Sequence, residues 1–243
     1  MLWENSVVYC YDGSFDGLLC CVFESFSRKE YPVAIECADS EKDTIFRRKI
    51  IETDAVKANR VKVSIPGKIS LEAAELVEEA FLSNLFEKEL HILSFLSLGY
   101  RVGSAVTDMN GDEHVRALKG AVMMLSREAH YITGTLTFSD YGGLLMAQIS
   151  PKNNVLPVIT PHYCEKMPGQ DFMIFDRSHH VAFICRDGIR RYFSSGRAEI
   201  PPLGPEEKKY RSLWKNFFEE VSLEGTRSSD FREAKLPYRM RNT

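Results

Sequence analysis

The residues with the clearest chemical potential lie on one predicted helix, which begins after Asp112 and extends to about His130. At about 100° per residue, such a helix has an apolar stripe and, about 120° away, a second stripe. The apolar stripe consists of Val115, Leu118, Val122, Leu125 and Ala129. The second stripe consists of Arg116, Lys119, Met123, Arg127 and His130. We call its four nitrogen-bearing residues the basic flank. It could follow a phosphate backbone, although an ordinary solvated flank has the same pattern.

Two histidines and one carboxylate are candidates for acid–base catalysis. His130 or His162 could act as a general base, with Asp176 orienting it. Glu128 is not a partner for His130, because residues two apart on a helix point about 200° away from each other. Structural roles remain open for both histidines. A cation is stabilised at a helix C-terminus, which suits His130, and a histidine satisfied within the core would explain His162.

Two further groups of residues could contact phosphate. Lys57 and Arg60 are three apart on a short predicted helix, although a solvated face is the alternative. The segment Asp12-Gly13-Ser14 lies between a predicted strand and a predicted helix, where anions can bind. A second aspartate nearby, at position 16, would repel a phosphate together with Asp12. We therefore predict that this segment is a turn and helix cap.

Motifs for metals and cofactors are missing or incomplete. His162 and Cys164 form an H-x-C pair, but no second closely spaced pair completes a zinc site. The Asp-x-Asn-x-Asp series from Asp108 begins like a calcium loop, yet Glu113 stands where that loop needs glycine. The sequence contains no P-loop, no G-x-G-x-x-G and no cysteine triplet for an iron–sulfur cluster. We expect neither a metal nor a cofactor.

The elements that position these residues follow from the period of the apolar residues. Strands are predicted at 7–11, 33–36, 44–50, 132–138, 144–149, 172–175, 181–186 and 189–193. Helices are predicted at 15–26, 54–61, 71–85, 90–96, 112–130, 155–166 and 210–221. Pro66-Gly67 is expected to end the second of these helical regions, and Asp187-Gly188 is expected to form a hairpin turn.

These elements predict an α+β fold, with an antiparallel sheet, a cluster of helices and a long central helix. The 243 residues are 44% apolar and 27% charged, which is typical of a globular protein. We expect one domain, 1–243. It could be divided into a mainly helical lobe at 1–111 and a lobe of a helix plus antiparallel strands at 112–224. A loosely packed basic tail would follow at 225–243.

Charge and hydropathy exclude some classes of protein. The net charge is −3, from 31 basic and 34 acidic residues, so nucleic-acid binding would need a local basic surface. The longest apolar run is the six residues at 18–23, whereas a membrane span needs about 20. The N-terminus lacks the pattern of a secretion signal. We therefore expect a cytoplasmic protein without membrane contact, whose six cysteines stay reduced.

Several short motifs occur together in a recognisable order. They lie at 9–17, 127–130, 161–163, 170–176 and 213–215. With them the chain resembles, over nearly its whole length, a bacterial family of unknown biochemical function that is labelled with DNA metabolism and DNA repair. Members of that family are typically encoded beside a radical-SAM protein, and related domains are fused to uracil-DNA-glycosylase-like domains.

The resemblance implies a DNA setting and a protein partner. The polar positions that match its motifs are Asp12, Arg127, His130, His162 and Asp176. The first hypothesis is an accessory factor of DNA repair or modification, which binds nucleic acid weakly through the basic flank and acts with a radical-SAM or glycosylase-like partner. The second is a stand-alone enzyme that uses a His/Asp pair. The third is a protein–protein adaptor without DNA contact.

Overall fold

The computed structural model describes residues 7–38, 44–140 and 143–194, in which helices and two sheets confirm the α+β class. The strands are β1 Val7–Tyr11, β2 Ala34–Cys37, β3 Arg47–Ile50, β4 Ser139–Asp140, β5 Leu145–Ile149, β6 Phe172–Asp176, β7 Val181–Arg186 and β8 Ile189–Ser194. The helices are α1 Phe15–Arg28, α2 Ala55–Lys68, α3 Leu71–Leu82, α4 Lys88–Val102, α5 Glu113–Thr135 and α6 Leu156–Lys166, with a 3-10 helix at Gly103–Asp108. The predicted helix at 210–221 and the tail at 225–243 lie outside the described residues.

The described residues form two compact units, and the division falls between Leu125 and Ser126, inside α5. The first unit contains a three-stranded sheet in the order β2-β1-β3, in which both pairs are parallel. All five residues of the central strand β1 are buried. An unbroken apolar run of this kind is typical of parallel strands covered on both faces. The antiparallel sheet is expected of the strands that follow α5, and the parallel pairing of these N-terminal strands is an addition to that expectation.

Helices α1 to α4 supply most of the core of the first unit. The side chains of Leu18, Leu93 and Phe95 are fully buried there. The predicted end of α2 at Pro66-Gly67 is wrong, because the helix continues to Lys68. A proline removes only one backbone donor from a helix, and the final turn is closed by a 2.8 Å hydrogen bond from the Ile69 amide to the Ile65 carbonyl.

The second unit contains a mixed five-stranded sheet in the order β4-β5-β6-β7-β8. β5 and β6 are parallel and are connected through α6, whereas the other neighbouring pairs are antiparallel. The predicted Asp187-Gly188 turn between β7 and β8 is confirmed, since both residues have positive φ, +50° and +76°. Positive φ at both central residues is the requirement of a tight two-residue hairpin turn.

The predicted strand at 132–138 is wrong, because α5 continues to Thr135 and only Ser139–Asp140 pairs as a short strand. Threonine is accommodated in a helix when its hydroxyl bonds a carbonyl one turn earlier. Thr133 and Thr135 do this, donating to the carbonyls of Ala129 and Tyr131 at 2.8 and 2.9 Å. Side-chain hydrogen bonds thus offset the β-propensity of this segment.

All six cysteines are free thiols, and five of them are buried. Buried free cysteine behaves as a small hydrophobic residue. Within the described residues, no helix has the length and apolar character needed to cross a membrane.

Candidate nucleic-acid interface

Helix α5 has a buried edge and an exposed basic flank. Its aliphatic residues face the protein interior, with Val115 and Leu118 fully buried and Ala129 only 4% exposed. Arg116, at one end of the basic flank, is exposed, as are Arg127 and His130 at the other. Lys119 is half-buried. The helix therefore presents its cationic side chains to solvent, as the period of the sequence predicts.

No ion pair within the described residues neutralises the basic flank. The side-chain contact of Lys119 is with a neutral group, since its Nζ lies 3.4 Å from the Asn110 Oδ1. Other basic residues of the first unit are engaged differently. Lys49, for example, pairs with Glu30 at 2.9 Å and with Glu24 at 3.1 Å. Unpaired surface cations can exchange their counterions for phosphates.

The two halves of the basic flank belong to different units. Arg116 and Lys119 lie in the first unit, and Arg127 and His130 lie in the second. Each half can be changed and measured separately.

Glu128 is bound to the loop that follows β5. One carboxylate oxygen accepts the Lys152 amide at 2.8 Å, and the other accepts the Asn153 amide at 2.9 Å and its Nδ2 at 2.6 Å. Burial by itself would raise the pKa of Glu128, but these hydrogen bonds outweigh burial and hold the pKa below its ordinary value. Glu128 thus anchors a loop.

Replacing Glu128 with glutamine is expected to lower the free energy of unfolding at pH 7 by about 1–2 kcal/mol. A folded-state pKa below the unfolded value gives stability that is complete above the unfolded pKa and is lost as pH falls through the folded pKa. The difference between wild type and Glu128→Gln should therefore shrink in acid. Urea unfolding of both proteins at pH 7, 5 and 3.5 measures this difference in the free energy of unfolding.

The matched control for this change is Glu165→Gln, at an exposed position on α6 of the same unit. It should leave the free energy of unfolding within about 0.5 kcal/mol of wild type. A pH-independent loss in Glu128→Gln would contradict the role assigned to the carboxylate.

The three candidate catalytic residues differ in their surroundings. His130 and His162 are exposed, and the His162 ring packs edge-on against Tyr163 with centroids 5.2 Å apart. Asp176 is completely buried at the end of β6. Its carboxylate contacts a third histidine, His179, whose Nδ1 lies 2.6 Å from the Asp176 Oδ2. Sequence reasoning did not select His179 as a base, although the Asp-x-x-His spacing after a strand was a usable signal.

The Asp176–His179 pair has the geometry of an oriented base. A carboxylate is an acceptor only, so its partner Nδ1 carries the hydrogen, and in the neutral tautomer of the ring Nε2 is then the acceptor. The His179 side chain is 30% exposed. The same carboxylate also accepts the amides of Ser178 and His179 at 2.9 and 3.2 Å. The Asp176 carboxylate therefore holds both the turn between β6 and β7 and the imidazole ring of His179.

The Asp12-Gly13-Ser14 segment forms a closed cap at the start of α1. Asp12 accepts hydrogen bonds from the Ser14 amide at 2.9 Å and the Ser14 hydroxyl at 2.6 Å. Ser14 in turn accepts the Gly17 amide at 2.8 Å, and Gly13 adopts a φ of +75°. A Cβ on Gly17 would lie 2.3 Å from the Asp12 Oδ1, so the space beside the cap is filled. These contacts stabilise a helix start.

Lys57 and Arg60 lie above an aromatic ring. The Lys57 Nζ is 6.0 Å and the Arg60 Cζ is 5.4 Å from the centroid of Phe23. Cation–π contacts of this length orient a charged side chain without neutralising it. Both cations therefore remain able to meet an anion.

The described residues contain no group of three histidine, cysteine or acidic side chains that could hold a metal ion. At the H-x-C pair, burial raises the pKa of Cys164 to about 11. Its thiol therefore stays protonated at neutral pH in the metal-free protein.

Comparison with protein families places the chain in an uncharacterised family. Residues 86–243 match the family described as a domain of unknown function, DUF4130. The match covers more than half of the chain, and the chain belongs to this family. It includes α5, Asp176 and His179. No curated protein matches the chain.

Proposed function

We propose that the protein is an accessory factor of DNA repair or DNA modification, which binds nucleic acid through the basic flank of α5 and acts with a radical-SAM or glycosylase-like partner. The observation that carries the proposal is the exposure of Arg116, Arg127 and His130 on a helix whose aliphatic edge is buried. The order of motifs at 9–17, 127–130, 161–163 and 170–176 supports the DNA setting and the partner.

Electrostatics sets the expected strength of this binding. The chain carries a net charge of −3, so long-range attraction to a polyanion is weak and affinity depends on local contacts. Each lysine or arginine that neutralises a phosphate releases counterions, which drives binding at low salt. A flank with three permanent cations and one histidine supports weak, sequence-independent binding.

Changing Arg127 to alanine tests the second-unit half of the basic flank. Fluorescence anisotropy with a labelled duplex of about 20 base pairs, in about 50 mM salt, gives the Kd. Loss of one charge-assisted contact of about 1 kcal/mol should raise the Kd roughly fivefold. The matched control is Lys166→Ala, an exposed basic position on α6 of the same unit. Equal Kd values for wild type and Arg127→Ala would remove Arg127 from the interface.

The partner is tested separately from DNA. We expect the full chain to co-purify with a radical-SAM protein or a uracil-DNA-glycosylase-like protein, and to shift labelled DNA in the same buffer. Co-purification without any DNA shift would support the adaptor hypothesis and contradict the DNA contact.

A second candidate function, a stand-alone enzyme that uses a His/Asp pair, is favoured by one specific contact. Because Asp176 bonds Nδ1 of His179, the free Nε2 is oriented to accept a proton. This contact points to His179 as the base in the His/Asp hypothesis. Mass spectrometry of single-stranded and duplex oligonucleotides incubated with the protein tests it. A product formed by wild type and by His162→Gln, but not by His179→Gln, would support it. Unchanged oligonucleotides would contradict it.

A further inference from the structure

A cavity of about 390 Å³ lies among α1, α2 and α4, within the first unit. Sites for small molecules have volumes of about 300–1,000 Å³, so this cavity is large enough for one. Val22 and Val61 form its apolar floor and are 1% and 6% exposed. None of the basic-flank residues lines it.

One wall of the cavity is aromatic and accessible. Phe26 is 43% exposed, and its ring packs edge-on against Tyr100 with centroids 5.3 Å apart and an interplanar angle of 85°. Phe23 extends the same wall one helical turn earlier and is half-buried. Exposed aromatic faces held by neighbouring side chains are stacking surfaces for a planar ring.

The rim of the cavity is cationic. Arg60 and Lys68 are both exposed there, and no carboxylate is among the lining residues. The Arg60 guanidinium is held above the Phe23 ring, 5.4 Å from its centroid. A guanidinium fixed in this way presents its fork of N–H donors, which matches the oxygens of a phosphate.

A hydroxyl pair inside the cavity leaves one acceptor free. Ser64 has a single hydroxyl hydrogen and donates it to the Val61 carbonyl at 2.7 Å. The 2.5 Å contact between Ser64 and Tyr100 therefore has the Tyr100 hydroxyl as donor. The remaining lone pair of the Tyr100 oxygen can accept an N–H group. Burial raises the pKa of Tyr100, which keeps the phenol neutral.

We propose that this cavity binds a single nucleotide, with the base stacked on Phe26, an N–H group at the edge of the base donating to the Tyr100 hydroxyl, and the phosphate held by Arg60 and Lys68. An aromatic wall, a neutral acceptor and a cationic rim together match a ring that carries N–H groups and an anionic substituent. The choice of a nucleotide among aromatic anions rests on the proposed function. The nucleotide could be free or an unstacked unit of a single strand.

Isothermal titration calorimetry of the full chain with dTMP, thymidine and inorganic phosphate tests the proposal. We expect dTMP to bind with a Kd of about 0.1 mM, and each half-ligand to bind at least about tenfold more weakly, because both parts contribute. Arg60→Ala should raise the Kd for dTMP at least about tenfold. Tyr100→Phe, which keeps the ring, should raise it about threefold. Thermal unfolding monitored by circular dichroism confirms that each variant is folded.

The matched control for the cavity is Arg101→Ala, at an exposed position on α4 that does not line it. It should leave the Kd for dTMP unchanged. The proposal is overturned if dTMP does not bind, if Arg60→Ala binds it as tightly as wild type, or if phosphate alone binds as tightly as dTMP.

A labelled oligothymidylate separates the two sources of the nucleotide. If Arg60→Ala also weakens binding of the oligonucleotide, the cavity takes a nucleotide from a strand, and if only dTMP is affected, it takes a free nucleotide. Duplex binding, measured on the same preparations with Arg127→Ala, reports on the basic flank alone. The experiments therefore distinguish a cavity that does not bind a nucleotide from a basic flank that does not bind DNA.

Discussion

Replacing Asp176 with alanine is expected to lower the free energy of unfolding by about 3 kcal/mol, because three donors lose one buried acceptor. The carboxylate is 0% exposed and is bonded by the amides of Ser178 and His179 and by the His179 ring. Water cannot take its place without entering the end of β6. Chemical denaturation followed by circular dichroism measures the loss.

A conservative variant separates charge from hydrogen bonding at this position. Asp176→Asn keeps an oxygen for the two amides, so it should cost about 1–2 kcal/mol, less than alanine. Glu165→Ala, at an exposed position in the same unit, should have little effect. A loss below about 1 kcal/mol in Asp176→Ala would show that the buried carboxylate does not hold the β6–β7 turn.

Reversing two charges of the basic flank is expected to weaken duplex binding at least about 100-fold, or about 3 kcal/mol. Arg116→Glu together with Arg127→Glu removes two exposed cations and adds two anions that repel phosphate. Both side chains point to solvent, so the fold should be preserved. Anisotropy at about 50 mM salt, where electrostatic contacts are screened less than at physiological salt, gives the affinity.

The matched control reverses two exposed basic residues elsewhere, Arg101→Glu together with Lys166→Glu. Both double variants carry the same net charge and change one residue in each unit. The control should weaken binding by less than about threefold, since only a general charge effect remains. Equal losses in the two double variants would mean that net charge, and not the basic flank, decides binding.

Helical periodicity was sufficient to predict the orientation of α5. The buried Val115 and the exposed Arg116 lie where a rotation of about 100° per residue places them. Periodicity worked because the apolar and basic residues of this segment keep one spacing over several turns. The turn at Asp187-Gly188 was predictable for a similar local reason, as its residue types tolerate positive φ.

Segments whose outcome depends on distant partners were not predictable. Residues 132–138 have β-propensity, but Thr133 bonds back into the helix, and its own carbonyl accepts the Tyr163 hydroxyl at 3.1 Å. Propensity gives way to such tertiary contacts. The parallel pairing of β1 with both neighbours likewise depends on connections that a run of buried residues does not specify.

The pairing of Asp176 with His179 was not predicted from the sequence, for a different reason. The family resemblance points to His130 and His162, because both lie within its motifs. Asp176 instead contacts His179, three positions later in the chain. A turn after a strand brings positions three apart together, so local geometry decides which histidine meets the carboxylate.

The most direct test of nucleic-acid binding by the basic flank is the salt dependence of duplex affinity. A plot of log K against log salt concentration has a slope of about −0.9 for each phosphate neutralised. For wild type we predict a slope of about −3, and for the variant with Arg116→Ala and Arg127→Ala a slope shallower by about 2. Identical slopes for the two proteins, or no binding by wild type at low salt, would contradict the account.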